Sequence, residues 1–359
     1  MQFRAKHPPL LRAFLAVIAI TVVTTLAPAQ DTIAPGEQKS LQGVPVITGN
    51  SGFVTDFSPG QQHLGPIIAP IILIPIGGKA LFEAEGEFEG SYDHATGQPW
   101  NHQWAKGLEY AQFDYFLNKY VTVVAGRFLT PFGIYNEGLH PTWIRNLLDA
   151  PLISGIEMTD SNGAMLRGAI PVASNLNLTY ETFFSATTTV RHIDATRAAG
   201  GRFAAVLPNQ RLTVGVSYQR ILQDQHSNIY GADLTYQLTR IPLDIRGEYA
   251  YSQVFGSGFW AEGAYRMRKV PFAHNFMRKS QALVRWQQYV APAMMPDNAG
   301  DMGLPAANTR EADFGWNYYI HDNFKIGASF GRSLSPGGDS NVITLGMAYR
   351  FTFPLGGGK

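Results

Sequence analysis

The chain of 359 residues contains no cysteine. That excludes a disulfide framework, a thiolate metal site and a cysteine nucleophile. Charge is also scarce: Asp, Glu, Lys and Arg together make 15% of the residues, low for a soluble domain. The formal net charge is +1, so there is no basic excess with which to hold a nucleic-acid backbone. Beyond residue 26 no apolar run is long enough for a membrane helix. The nearest, 66–76 (PIIAPIILIPI), has eleven residues and three prolines, too short and too broken to span as a helix. Zinc-spaced histidines, a Gly-x-Ser-x-Gly elbow and a phosphate-binding glycine loop are all missing, so neither an enzyme nor a cofactor is expected.

Aromatic residues, by contrast, are plentiful at 12%, with 16 Tyr and 22 Phe, and mean hydropathy is close to zero. Low charge, many aromatics and middling hydropathy combine in a membrane barrel, whose polar lumen offsets its apolar belt. The N-terminus fits export. Arg4, Lys6 and Arg12 precede the apolar stretch 13–26, and Ala27-Pro28-Ala29 gives a small-x-small cleavage pattern. A signal peptide over 1–29 is expected, and its removal would take the net charge to −2.

The stretch 79–92, KALFEAEGEFEGSY, shows the pattern that organises the rest. Glu83, Glu85, Glu87 and Glu89 occupy odd positions, while Phe82, Ala84, Phe88 and Tyr92 occupy even ones. A strand sends alternate side chains to opposite faces, so one face carries four carboxylates and the other small and aromatic groups. A helix would scatter the glutamates, and Gly86 and Gly90 would weaken it. The same two-residue period recurs down to 342–353. Counting the segments predicts an all-β fold, a transmembrane antiparallel barrel of about 14 strands (range 12–16), each of roughly ten residues. The expected organisation is an irregular segment over 30–78, a barrel over 79–353 and a tail over 354–359. Connections alternate between short turns and longer loops, as a barrel with one short-looped rim requires; the long connection 268–279 breaks the alternation and is the expected place of any further strand pair. A soluble sandwich is the alternative, and it would not need so many uniform hairpins behind a signal peptide.

The inward faces collect the pore-lining candidates. Glu83, Glu85, Glu87, Glu89, Asp114, Glu181 and Glu248 are acidic; Arg167, Arg246, Arg266, Arg285 and Arg350 are basic. Arg202, Asp233, Glu262, Glu311 and Asp313 share those faces. With both signs present, opposite walls can carry opposite charge and set a transverse field; the plainer role for any one of them is pairing across strands to keep the lumen wet. The longest loop, 129–162, is rich enough in apolar groups to fold inward. Phe132, Tyr135 and Trp143 would pack it there, leaving Glu137, Arg145 and Asp149 as constriction candidates.

The stretch 126–137, GRFLTPFGIYNE, with His140-Pro141 and Trp143, and the preceding 110–117, YAQFDYFL, resembles the third-strand and loop region of the phosphate-selective porin O/P family. The resemblance implies a sixteen-stranded, often trimeric porin whose phosphate-selective members carry arginine and lysine ladders. This sequence departs from that pattern: it has no lysine-rich inward loop, and its 79–92 strand is acidic. The expected function is passive diffusion of small hydrophilic solutes or ions across the outer membrane of a Gram-negative bacterium, with lipid as the surrounding partner and a homotrimer as the implied assembly. An anion or phosphate channel, or a plugged or sheathing barrel without transport, is the alternative.

Overall fold

A computed structural model describes residues 43–190, 193–223, 226–238, 240–295, 300 and 302–355. The expected signal peptide and the end of the tail lie outside the described residues. Sixteen strands follow in chain order: β1 Val46–Ser58, β2 Gln61–Ile76, β3 Ala80–Ala95, β4 Asn101–Phe116, β5 Thr122–Leu129, β6 Asp160–Ala173, β7 Leu176–Ser185 and β8 Ala198–Leu207, then β9 Leu212–Ile221, β10 Ser227–Gln237, β11 Leu243–Ser252, β12 Gly256–Arg266, β13 Ser280–Val290, β14 Thr309–His321, β15 Phe324–Leu334 and β16 Ser340–Pro354. Each pairs antiparallel with its sequence neighbours, and β1 closes on β16, from Val46↔Pro354 to Phe57↔Ile343. Closure pairs every edge, which a sheet in lipid requires.

The two-residue period sorts the side chains. Along β9, Val214, Val216 and Tyr218 are exposed on the outer face, while Ser217 and Gln219 are buried inside. The outer face continues through Phe203, Tyr230, Tyr249, Phe259, Trp286, Phe314, Phe330 and Leu345, all exposed. An apolar belt of this extent is the surface a bilayer solvates.

All fourteen segments read from the sequence are strands here, and the count rises to sixteen because 30–78 is not irregular throughout. It supplies β1 and β2, so the barrel spans Val46–Pro354. Three prolines and the lack of alternation hide β2. Its ladder with β1 is continuous from Val46↔Leu73 to Ser58↔Gln61, whereas its ladder with β3 skips Gly65, Pro66, Ala69 and Pro70. Pro66 and Pro70 are four apart, so both missing N–H groups point toward one neighbour, and the other ladder is spared. The alternation is absent because β2 is apolar on both faces. The extra pair is not in 268–279; that connection holds a single helical turn, His274–Met277, whose Phe276 stacks on Trp316 and Tyr318.

Ile68 lies midway along β2 and is exposed outward. Ile68→Arg is expected to cost about 2–4 kcal/mol of folding free energy in bilayers, the usual cost of a cation at the midplane of a barrel. Urea titration of refolding into vesicles measures it; an unchanged midpoint would contradict the outward assignment.

The largest apolar cluster sits inside the barrel. Phe132, Ile153 and Ile156, all within the 130–159 loop, pack with Ile229, Ala250, Phe255, Trp260, Tyr289 and Leu304. The loop between β5 and β6 is thus folded into the lumen.

Candidate functional site: the loop and the acidic wall

The 126–137 stretch explains how the loop is held. Asn136 Nδ2 donates to the carbonyls of Thr130 (2.9 Å) and Thr159 (2.6 Å), clamping the two ends of the loop together. Thr130 and Ser161 hydroxyls meet at 2.8 Å beneath that clamp. Gly133, at φ +57°, turns the chain against the far wall, where an added Cβ would fall 2.1 Å from the Glu248 carboxylate. Its N–H donates to Ser217 Oγ (3.0 Å), and the next two, Ile134 and Tyr135, donate to Glu248 Oε2 at 2.8 and 3.0 Å.

Apolar knobs complete the fastening. Four inward-facing glycines leave sockets on the wall: Phe132 fills the space at Gly231, Ile153 at Gly258, Leu147 at Gly315 and Leu148 at Gly346, each within 2.7 Å of where a Cβ would stand. Polar contacts run alongside. Asn146 donates to Glu262 (2.7 Å), Leu152 N to Gln287 (2.9 Å), Arg285 to both the side chain and the carbonyl of Asp149 (3.0 Å each), and Lys325 to the Arg145 carbonyl. The loop therefore lies on the β9–β16 half of the barrel. At its far side Thr142 reaches Asn50 on β1 (2.5 Å).

What remains open runs along β3 and β4. A cavity of about 490 Å³ is lined by Glu87, Glu109, Tyr135, His140, Arg145, Glu157 and Asp160, among others. A second, of about 270 Å³, is lined by Glu83, Glu85, Tyr110, Gln112, Glu137, His140 and Arg167. His140 lines both, with Nε2 3.8 Å from Glu85 Oε2 and 3.9 Å from Glu109 Oε2. Toward the β1–β2 turn a third cavity, of about 590 Å³, carries Asp56, Asp93, Asp149, Glu311 and Asp313 and no lysine or arginine.

Glu109 escapes the sequence pattern because of a bulge. Counting alternate positions back from Phe113 and Ala111 puts it on the outer, apolar face. The β3–β4 ladder instead passes from Glu85↔Tyr110 to Gly86↔Leu108, leaving Glu109 unpaired. The extra residue flips the parity of β4, so Glu109 joins Glu87 on the inner side.

The other candidates divide. Asp114, Glu83 and Glu137 surround Arg167, which touches Asp114 directly and lies 3.6 Å from Glu83 and 3.3 Å from Glu137. Arg246 pairs with Glu262 (2.8 Å), Arg285 with Asp313 (2.9 Å) and Arg202 with Asp233 (2.7 Å). Arg266 stacks over Tyr319 (3.7 Å) and Arg350 over Trp143 (4.7 Å). Glu181 faces Arg167 and Arg202 across the β6–β7–β8 ladders. Glu89 is exposed at the upper end of the acidic row. Tyr135 is sandwiched under Arg145 (5.2 Å), which is itself tied to the Leu139 and His140 carbonyls. Glu248 fastens the loop rather than facing the cavities. Among the described residues, Glu85, Glu87 and Glu109 have no lysine or arginine within ion-pair distance, Glu83 shares Arg167 with Asp114 and Glu137, and Arg202, Arg246 and Arg285 are each paired with a carboxylate.

Among the loop residues, His140 and Glu137 titrate in ways that bear on the charge of the passage. Burial, with Arg145 nearby, pushes His140 down to about 4, so it is neutral at ordinary pH and does not offset the carboxylates. Burial, then the charge of Glu181, pushes Glu137 up to about 8 against the pull of Arg167 and Arg202, with Glu83 adding to the rise.

No protein-family model matches the chain, and no curated protein is recognisably similar to it in sequence. Among solved structures it is similar to OmpF from Salmonella typhi, solved in complex with daunomycin (TM-score 0.59, 12% identity, 86% of this chain and 98% of that one). It is similar also to OprB from Pseudomonas putida at low pH (TM-score 0.56, 10% identity, 88% and 96%) and to an anion-selective porin from Comamonas acidovorans (TM-score 0.50, 10% identity, 86% and 98%). At these identities the likeness is one of fold.

Proposed function

We propose that the chain is an outer-membrane porin through which small hydrophilic solutes or ions diffuse passively, and that its constriction favours cations. The observation that carries this is the position of the 130–159 loop. It is fastened to one half of the barrel and leaves a passage whose open wall bears Glu83, Glu85, Glu87 and Glu109. Passage is then set by size at the loop and by the field of the carboxylates. The apolar belt and the closed barrel suit a bilayer, and the Gram-negative outer membrane is where such barrels function.

The test is single-channel recording of the purified protein in planar bilayers, with reversal potentials across a potassium chloride gradient. Steady conductance with a cation-favouring potential is expected. Silence from well-folded, heat-modifiable protein would instead assign a plugged or sheathing barrel. An anion or phosphate channel is the second reading, and one observation favours it. Arg246, Arg266, Lys325 and Arg350 stand on β11, β12, β15 and β16, and β11 lies opposite β3 in the closed barrel, with seven strands between them either way round. An anion-favouring potential would select it.

A pH dependence follows from Glu137. Its carboxyl is neutral below about 8 and ionises above, so raising the pH adds negative charge beside the passage. Cation preference is expected to be stronger at pH 9 than at pH 7, and Glu137→Gln should reduce that step. A preference that weakens on the alkaline side would contradict it.

A further inference from the structure

The inner face of β2 is unlike the others. Its inward residues are Gly65, Ile67, Ala69, Ile71, Leu73 and Pro75, since Ile68, Ile72 and Ile76 are the exposed outward set. Elsewhere the inward apolar residues are buried in clusters, Ile229, Trp260 and Tyr289 under the loop and Val124, Met165 and Phe183 against one another, or the inner face is polar, as where β13 presents Gln281, Arg285 and Gln287 and β14 presents Asp313 and Asn317. An inward aliphatic stripe would be ordinary if the loop packed on it. Among the described residues, though, the buried apolar clusters include none of β2, and the loop's knobs seat on β10, β12, β14 and β16. Ile67, Ile71 and Leu73 remain partly exposed within the lumen.

The stripe runs beside the carboxylates. Ile67 is the cross-strand partner of Glu89, Ile71 of Glu85 and Leu73 of Glu83. Neighbouring strands lie about 4.8 Å apart, and successive residues on one face about 7 Å apart. The inner wall here therefore carries two parallel rows, one anionic and one aliphatic, in step with each other. Glu85 holds the middle of the anionic row. It is 1% exposed, and its Oε2 has no hydrogen-bond partner. A buried carboxylate oxygen without a partner, on a residue that lines a cavity, is costly to leave unmet. The neutral ring of His140 stands on the other side, 3.8 Å away.

We propose that this edge of the passage takes amphipathic organic cations. The ammonium group tracks the glutamate row and donates to Glu85, while the attached hydrocarbon chain lies on Ile67, Ile71 and Leu73. This deepens the porin reading above and rests on it. A purely hydrophilic cation of the same size uses only one of the two rows.

The experiment compares n-butylammonium with 3-hydroxypropylammonium, which match in charge and heavy-atom count, as the permeant cations in bi-ionic recordings of the full protein. The butyl ion is expected to be the more permeant by about threefold or more, the order set by taking one or two methylene groups out of water. Ile71→Thr should bring the ratio toward one, and Leu73→Thr repeats the test at a second position, with heat-modifiable migration reporting folding of each. Glu85→Gln should reduce entry of both ions. A ratio of one in the unaltered protein, with potassium still favoured over chloride, overturns this proposal and leaves the porin standing. Absence of any conductance overturns both.

Discussion

Replacing Glu83, Glu85, Glu87 and Glu109 together by glutamine is expected to lower the potassium-to-chloride permeability ratio more than tenfold. A monovalent ion about 7 Å from one carboxylate gains about 0.6 kcal/mol in bulk water and about 2.4 kcal/mol where the effective dielectric constant is near 20. Even at the lower limit, the three that have no arginine partner sum to about 1.8 kcal/mol, more than the roughly 1.4 kcal/mol that a tenfold ratio requires, before salt screening. Arg202, Arg246 and Arg285 are each bound to a carboxylate, and of the two arginines that line these cavities Arg167 is shared among Asp114, Glu83 and Glu137, which leaves Arg145 as the one opposing charge to set against Glu85, Glu87 and Glu109. Reversal potentials in dilute salt measure the change. An unaltered ratio would place the ion path elsewhere in the lumen. Glutamine keeps the shape of the side chain, so the loss reports charge and not packing.

The second large effect concerns the loop. Glu248→Ala removes the acceptor for the Ile134 and Tyr135 N–H groups, both held at 3.0 Å or less. Hydrogen bonds to a charged partner contribute about 1.5–3 kcal/mol each. Losing two of them turns a loop seated almost all the time into one that leaves the wall for a measurable fraction. Recordings should then show flicker to a higher level, about twofold or more in conductance, and larger sugars should enter vesicles in swelling assays. Gly231→Val tests the same fastening independently, since its side chain would occupy the space now taken by the Phe132 ring. If both variants keep the native conductance and size limit, the loop is not what narrows the passage.

Much of this protein is set by the order of its residues. Every strand from β3 to β16 is placed by the sequence, and all but β5, which is largely apolar on both faces, by the two-residue period that arises because one face must meet water and the other lipid. The inward fold of the 130–159 loop was legible too, from the apolar groups Phe132, Tyr135 and Trp143 in a segment too long for a turn. β1 and β2 were not, because β2 is aliphatic on both faces and carries prolines that silence the usual strand signal; its place follows from closure, which needs a partner for the free edges of β3 and β16. Nor does a linear pattern say which carboxylates stay unpaired. Glu248, Glu85 and Glu109 are alike in type, yet one grips two backbone N–H groups, one lines a cavity with a buried oxygen that has no partner, and one reaches the lumen only through a bulge. Alternation depends on local sterics and is written in the chain. The pairing of charges across the lumen depends on which strands the closed barrel sets opposite each other, and on which glycines leave room for the loop to lie down, and only the tertiary structure decides those.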